Sequence, residues 1–177
     1  MSWEVLGRNL TIGFRSSLRS FPEEVGLESK MKCCLMPLEK FLSDKKGLNL
    51  ASTFNEGYSF HLTLCGDQRM KGLNKEFRGK SKTTDVLSFP MFDSLREPDD
   101  FFGGFCELGD IFISYPVCQK QAKEFSLTFE EEFFHLLVHG FLHLCGYDHE
   151  VSMSEEKLME EKEAILVKNI LKKIKDL

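Results

Sequence analysis

The chain has 177 residues, 42% of them hydrophobic and 12% aromatic, which suits one globular domain over 1–177 with a single core. Its net charge of −5 argues on average against a nucleic-acid partner. No apolar run reaches the roughly 18 residues of a membrane helix, and MSWEVLGRNL lacks the features of a secretory signal, so a cytoplasmic protein is expected.

Taken in chain order, Trp3 to Phe14 holds enough β-formers for a strand. Glu28 to Lys45 reads as a helix that Pro37 should kink or interrupt. Tyr58 to Cys65 alternates apolar with polar residues, the period of a half-buried strand, and Gly66 and Asp67 then turn the chain. Arg69 to Phe77 predicts a short helix ending at Gly79. The stretch RMKGLNKEFRGKSK, Arg69 to Lys82, carries six basic residues against one acid, which is either a solvated surface or a site for phosphates. Asp85 to Met91 and Gly109 to Tyr115 read as strands. The intervening FDSLREPDDFFGGFCE reads as a surface loop, with Phe101, Phe102 and Phe105 expected to tuck onto the core or to line a groove.

Two helices close the chain. The first runs from Phe129 to Cys145, opened by a Thr128–Glu131 capping box and apolar around most of its circumference, hence buried. The second runs from Ser154 to Lys173 behind a Ser152–Glu155 box, with Leu158, Met159, Ile165, Leu166 and Ile170 facing the core. Strands mixed with helices give an α+β class, with a central buried helix that carries the metal-binding residues described next. The six cysteines form no C-x-x-C pair and read as reduced thiols, with Cys145 the one close to the chemistry.

That buried helix carries the strongest chemical signal, His139-Gly-Phe-Leu-His143-Leu-Cys-Gly146-Tyr-Asp-His149. Residues four apart on a helix stack on one face, so His139 and His143 present two imidazoles to one point. Glycine just past a helix end takes the left-handed conformation that reverses the chain, so Gly146 can return His149 to the same point. Three histidines suit a divalent transition metal, zinc foremost. Catalytic zinc keeps three protein ligands and an open position, whereas structural zinc takes four. The spacing H-x-x-x-H-x-x-G-x-x-H is that of metzincin proteases, but Gly140 stands where those carry a glutamate base. His135, one turn before His139, is expected beside the site or in the core rather than on the metal, and His61 is expected to be structural. Free imidazoles titrate near pH 6.5, so the metal should leave as pH falls below that region.

HGFLHLCGYDH resembles the signature of the YbeY family of endoribonucleases, the ribosomal RNA maturation factors. Leu73-Asn74 through Arg78-Gly79-Lys80 with Thr84 to Pro90, and then Leu108-Gly109-Asp110-Ile111, resemble that family's other motifs in the same order. The resemblance spans about residues 58 to 165 and does not extend to the N-terminal part or the phenylalanine-rich loop. It implies a single α+β domain with a small mixed sheet and a metal held by His139, His143 and His149, with Arg78 in the cleft facing it. It also implies cleavage of single-stranded RNA, with ribosomal RNA and the small ribosomal subunit as the expected substrate and partner.

The residues permit that chemistry. Zinc lowers the pKa of water to about 7, and the Arg78 guanidinium can clamp two phosphate oxygens. Lys75, Lys80 and Lys82 can hold neighbouring phosphates, and Asp85 or Asp110 can act as base, orient a histidine, or merely cap a strand. Two other classes stay open. An assembly factor with a structural metal needs a fourth protein ligand, such as a displaced cysteine. A zinc metallopeptidase lacks its glutamate and has no use for the basic stretch.

Overall fold

Alternating side chains decide which way each strand faces. In β3 (Gly57–Cys65) Tyr58, Phe60, Leu62 and Leu64 are buried in the main core, and His61 and Thr63 lie on the other face of the sheet. The structure, a computed structural model, describes residues 1–18, 26–44, 56–92, 95 and 104–177. Its other strands are β1 (Ser2–Leu6), β2 (Leu10–Ser16), β4 (Val86–Pro90) and β5 (Phe105–Ser114). They form one five-stranded sheet in the order β1-β2-β3-β5-β4. The two central pairings, β2 with β3 and β3 with β5, are parallel, and the two outer ones are antiparallel. The chain is thus α+β with a mixed sheet.

Helices α1 (Leu27–Leu42), α4 (Phe129–Leu144) and α5 (Met153–Lys175) bury their apolar faces on one side of this sheet. Met31, Leu38, Phe133, Phe134, Leu137, Phe141, Met159, Leu166 and Ile170 meet Ile12, Phe60, Leu62, Ile111 and Ile113 there. Helix α2 (Asp67–Arg78) covers the opposite face, where Met70 and Leu73 form a second cluster with Cys65 and Leu87. Helix α3 (Tyr115–Glu124) leads from β5 to α4.

Helix α4 lies at the centre. Thr128 Oγ1 accepts from the Glu131 amide at 3.2 Å and the Glu131 carboxylate accepts from the Thr128 amide at 2.9 Å, so the expected capping box forms. Gly140 is what lets the helix approach the sheet: a Cβ there would lie 2.8 Å from Ile111 Cγ2, closer than real Cβ contacts come. No described helix is long and apolar enough to cross a membrane.

Several expectations need correction. The strand expected over Trp3 to Phe14 is a hairpin, turned at Gly7–Asn9, where the Gly7 amide donates to the Leu10 carbonyl. Helix α1 runs through Pro37 without interruption, held by the buried Met31, Cys34, Leu35 and Leu38. Packing thus outweighs the one amide donor that proline removes. Phe105 does not tuck into the core but starts β5 with 55% of its surface exposed, and Phe101 and Phe102 lie outside the described residues. On α5, Ile165 is 57% exposed, because it sits off the stripe formed by Met159, Leu166 and Ile170.

Candidate metal centre

The end of α4 and the turn after it build the site. His139 and His143 lie one turn apart with ring centroids 4.8 Å from each other, and their Nε2 atoms face one another at 3.2 Å. Past the Cys145 cap the chain reverses at Gly146, whose φ is +87°. The Gly146 amide donates to the His143 carbonyl at 3.0 Å and the Tyr147 amide to the Leu142 carbonyl at 3.1 Å, the paired bonds of a Schellman ending. Tyr147, 2% exposed, anchors this turn in the core beside Phe41. Asp148 accepts from the Glu150 amide at 2.9 Å. His149 is thereby returned to the helix, its ring 5.2 Å from both His139 and His143. One ring nitrogen from each of the three lies within 4.8 Å of the others, an arrangement able to hold a single metal ion. Among the described residues no cysteine or carboxylate completes a fourth corner of that group.

The electrostatics suit a cation. Burial first, then the neighbouring His139 and His149, push His143 down to about 4, so it is neutral at physiological pH with a lone pair to give. A hydrogen bond with the Tyr147 backbone opposes that shift.

One acid near these rings was not read from the sequence. Glu163 of α5 reaches across to α4, with Oε1 3.0 Å from His139 Nδ1 and Oε2 3.2 Å from His135 Nε2. Burial would raise this carboxyl, but the hydrogen bonds and charges of His135 and His139 prevail and hold it at about 2. The available signal was a glutamate on the stripe of Met159, Leu166 and Ile170, which burial of α5 makes an inward-facing acid. His135 stands beside the cluster, as expected, with Glu132 at 3.8 Å on its other ring nitrogen. A cavity of about 260 Å³ opens beside His139 and His149, lined also by His135, Met159 and the carboxylates Glu156, Glu160 and Glu163.

The other residues singled out in the sequence lie elsewhere. Arg78, Lys75 and Lys80 are exposed at the end of α2, on the sheet face away from α4, and none of them lines that cavity. Asp85 accepts from Thr84, Val86 and Gln121 and so fastens the start of β4 to α3. Asp110 shares the open sheet face with His61, beside Gly13 and Arg15, away from the imidazole cluster. Cys145 is fully buried, and burial raises its thiol well above the usual range. All six cysteines are free.

Comparison with known proteins places this geometry. A sequence model described as Endoribonuclease YbeY matches residues 38–171. The chain belongs to the YbeY endoribonuclease family. The Endoribonuclease YbeY of Sulfurihydrogenibium is 41% identical over 121 residues, 68% of this chain and 76% of that protein. That of Leptospira interrogans is 48% identical over 112 residues, 58% and 79% of the two chains. That of Thermodesulfovibrio yellowstonii is 45% identical over 133 residues, 73% and 80%. The solution structure of TM1509 from Thermotoga maritima superposes with a TM-score of 0.58 at 25% identity, covering 93% of this chain and 92% of that one. The structural likeness therefore reaches beyond the segment matched by the YbeY sequence model.

Proposed function

We propose that this YbeY-family chain is a metal-dependent endoribonuclease specific for single-stranded RNA, acting in ribosomal RNA maturation and ribosome quality control in the cytoplasm. The observation that carries the reading is the convergence of His139, His143 and His149. Three imidazole nitrogen donors with no fourth protein ligand among the described residues suit catalytic zinc better than structural zinc. An ion held by His139, His143 and His149 would supply Lewis acidity toward a phosphodiester.

The chain's own residues would do the rest. The carboxylates of Glu156, Glu160 and Glu163 line the α5 side of the cluster and repel phosphate, so the RNA backbone approaches from the β4 side. Phe77 packs on Phe89 of β4 with centroids 4.8 Å apart, which holds the neighbouring Arg78 at that edge. Gly140 lies over Ile111, the partner of Ser88, so α4 passes the same level of β4 on the other face. A strand crossing this edge would put one phosphate near the histidines and another within reach of Arg78. Arg78 then grips two non-bridging oxygens at once, and Lys75 and Lys80 hold flanking phosphates. The small ribosomal subunit is the partner that this substrate implies.

Gly140 also bears on the peptidase alternative. The position that carries the glutamate base in metzincins is pressed against Ile111, and not even a Cβ fits there without displacement.

The test is single-turnover cleavage of a short single-stranded RNA by metal-replete wild type, Arg78→Ala and Arg78→Lys. Loss of one preorganised donor to developing charge costs about 10²–10³ in rate, so Arg78→Ala should fall by that much with metal content unchanged. Arg78→Lys should recover only part. Equal rates for all three would remove Arg78 from the mechanism.

A further inference from the structure

One of the two candidate ligand histidines of α4 is held from behind by an acid on α5: Glu163 Oε1 lies 3.0 Å from His139 Nδ1. A ligand nitrogen must be bare, and an imidazole whose Nδ1–H is engaged by an acceptor keeps its Nε2 bare. His139 Nε2 is the atom that faces His143 Nε2 at 3.2 Å, the side on which the three rings converge. The second carboxylate oxygen cannot drift, because His135 Nε2 holds it at 3.2 Å.

We propose that Glu163 is a positioning residue for the metal centre: its carboxylate, braced by His135, fixes His139 in the Nδ1–H tautomer and aims Nε2 at the ion. Glu163 touches neither the ion nor the RNA in this arrangement and acts through His139 alone. It also ties the centre to α5, so the packing of the last helix sets the aim of a ligand on α4. The inference rests on the assignment of His139 as a ligand, but not on the RNA chemistry. A protein that bound zinc and cut no RNA would leave it standing.

The test uses the full chain, Glu163→Gln and Glu163→Ala, with two readouts. The first is zinc affinity at pH 7.5 by competition with a chromophoric chelator. Loss of such an outer partner typically weakens binding by about 10–100-fold, and Glu163→Ala should fall in that range. Glu163→Gln keeps an acceptor oxygen but not the charge, so it should lose less. The second readout is the ¹⁵N shifts of the His139 ring in metal-free protein, which report the tautomer directly and which a merely structural role of Glu163 would not move. Wild type and Glu163→Gln should carry the proton on Nδ1, and Glu163→Ala should shift population to Nε2–H. The proposal is overturned if wild-type His139 is protonated on Nε2, or if the variants bind zinc as tightly as wild type. If Glu163→Ala fails to fold, the wild-type tautomer and the affinity of Glu163→Gln still decide the matter.

Discussion

At the scale of single residues, protonation gives a signed prediction for the metal-free protein. His143 is held at about 4 by burial and by its two neighbouring imidazoles, whereas an unfolded chain's histidine titrates near 6.5. The unfolded state therefore takes up a proton that the fold refuses. The contribution of His143 is fully present above about pH 6.5 and is lost as pH falls from there toward 4. Glu163, at about 2 in the fold, titrates near 4.3 when unfolded. Its contribution is present above that value and is lost as pH falls through it toward 2. His135 runs the other way. Its hydrogen bond to Glu163, opposed by burial, raises it, so its contribution is complete below about 6.5 and fades as pH rises past its folded value. The melting temperature of metal-free protein should thus fall on acidification from about pH 6.5. His143→Gln should flatten the part between 6.5 and 4 while leaving the steeper fall below it. A wild-type melting temperature that stays level from pH 6.5 to 4 would contradict this account. The same depression moves proton competition for that ligand below the pH 6.5 expected of a free imidazole.

At the scale of elements, the Schellman ending of α4 is what adds a third candidate ligand, His149, to the two that the helix offers. Gly146 adopts φ +87° there, a conformation costing an L-residue about 1–2 kcal/mol. Gly146→Ala should lower metal-free stability by roughly that amount, and should weaken zinc binding further because relief of the strain swings His149 away. Zinc titration and chemical denaturation of the same variant check it, and unchanged affinity would mean that the turn does not aim His149. Both the α4 helix and this turn were legible in the sequence, since the capping box, the i, i+4 histidines and Gly146 are local signals. Helix α3 was not read: it buries only Cys118 and Ala122, too few apolar positions for a period to stand out, and Pro116 at its start was its best clue. The β1–β2 hairpin was open to reading but was not read: Gly7-Arg8-Asn9 is a turn signal between two short runs of β-formers. Glu163 was missed because its partners lie 24 and 28 residues away: its place on the α5 stripe marks an inward-facing acid but not the histidines it meets.

At the scale of the whole molecule, the sheet order β1-β2-β3-β5-β4 could not be read from one sequence, because it is set by pairings between distant segments such as Phe60 with Ile12. That order makes β4 an edge and puts α2 and α4 on opposite faces beside it, which keeps the basic stretch apart from the histidines. It also separates Asp110 from the cluster, a residue the sequence left open as a base. In the function proposed above, one metal at His139, His143 and His149 makes this molecule cut RNA. The most direct measurement compares chelator-stripped protein, the same protein restored with one equivalent of zinc, and His143→Ala treated identically, each against a labelled single-stranded RNA with duplex of the same sequence as control. Restored wild type is expected to hold about one zinc per chain and to cleave the single strand while sparing the duplex. Stripped protein and His143→Ala are expected to leave both intact. Cleavage by stripped protein, or a fully loaded and active His143→Ala, would contradict the account.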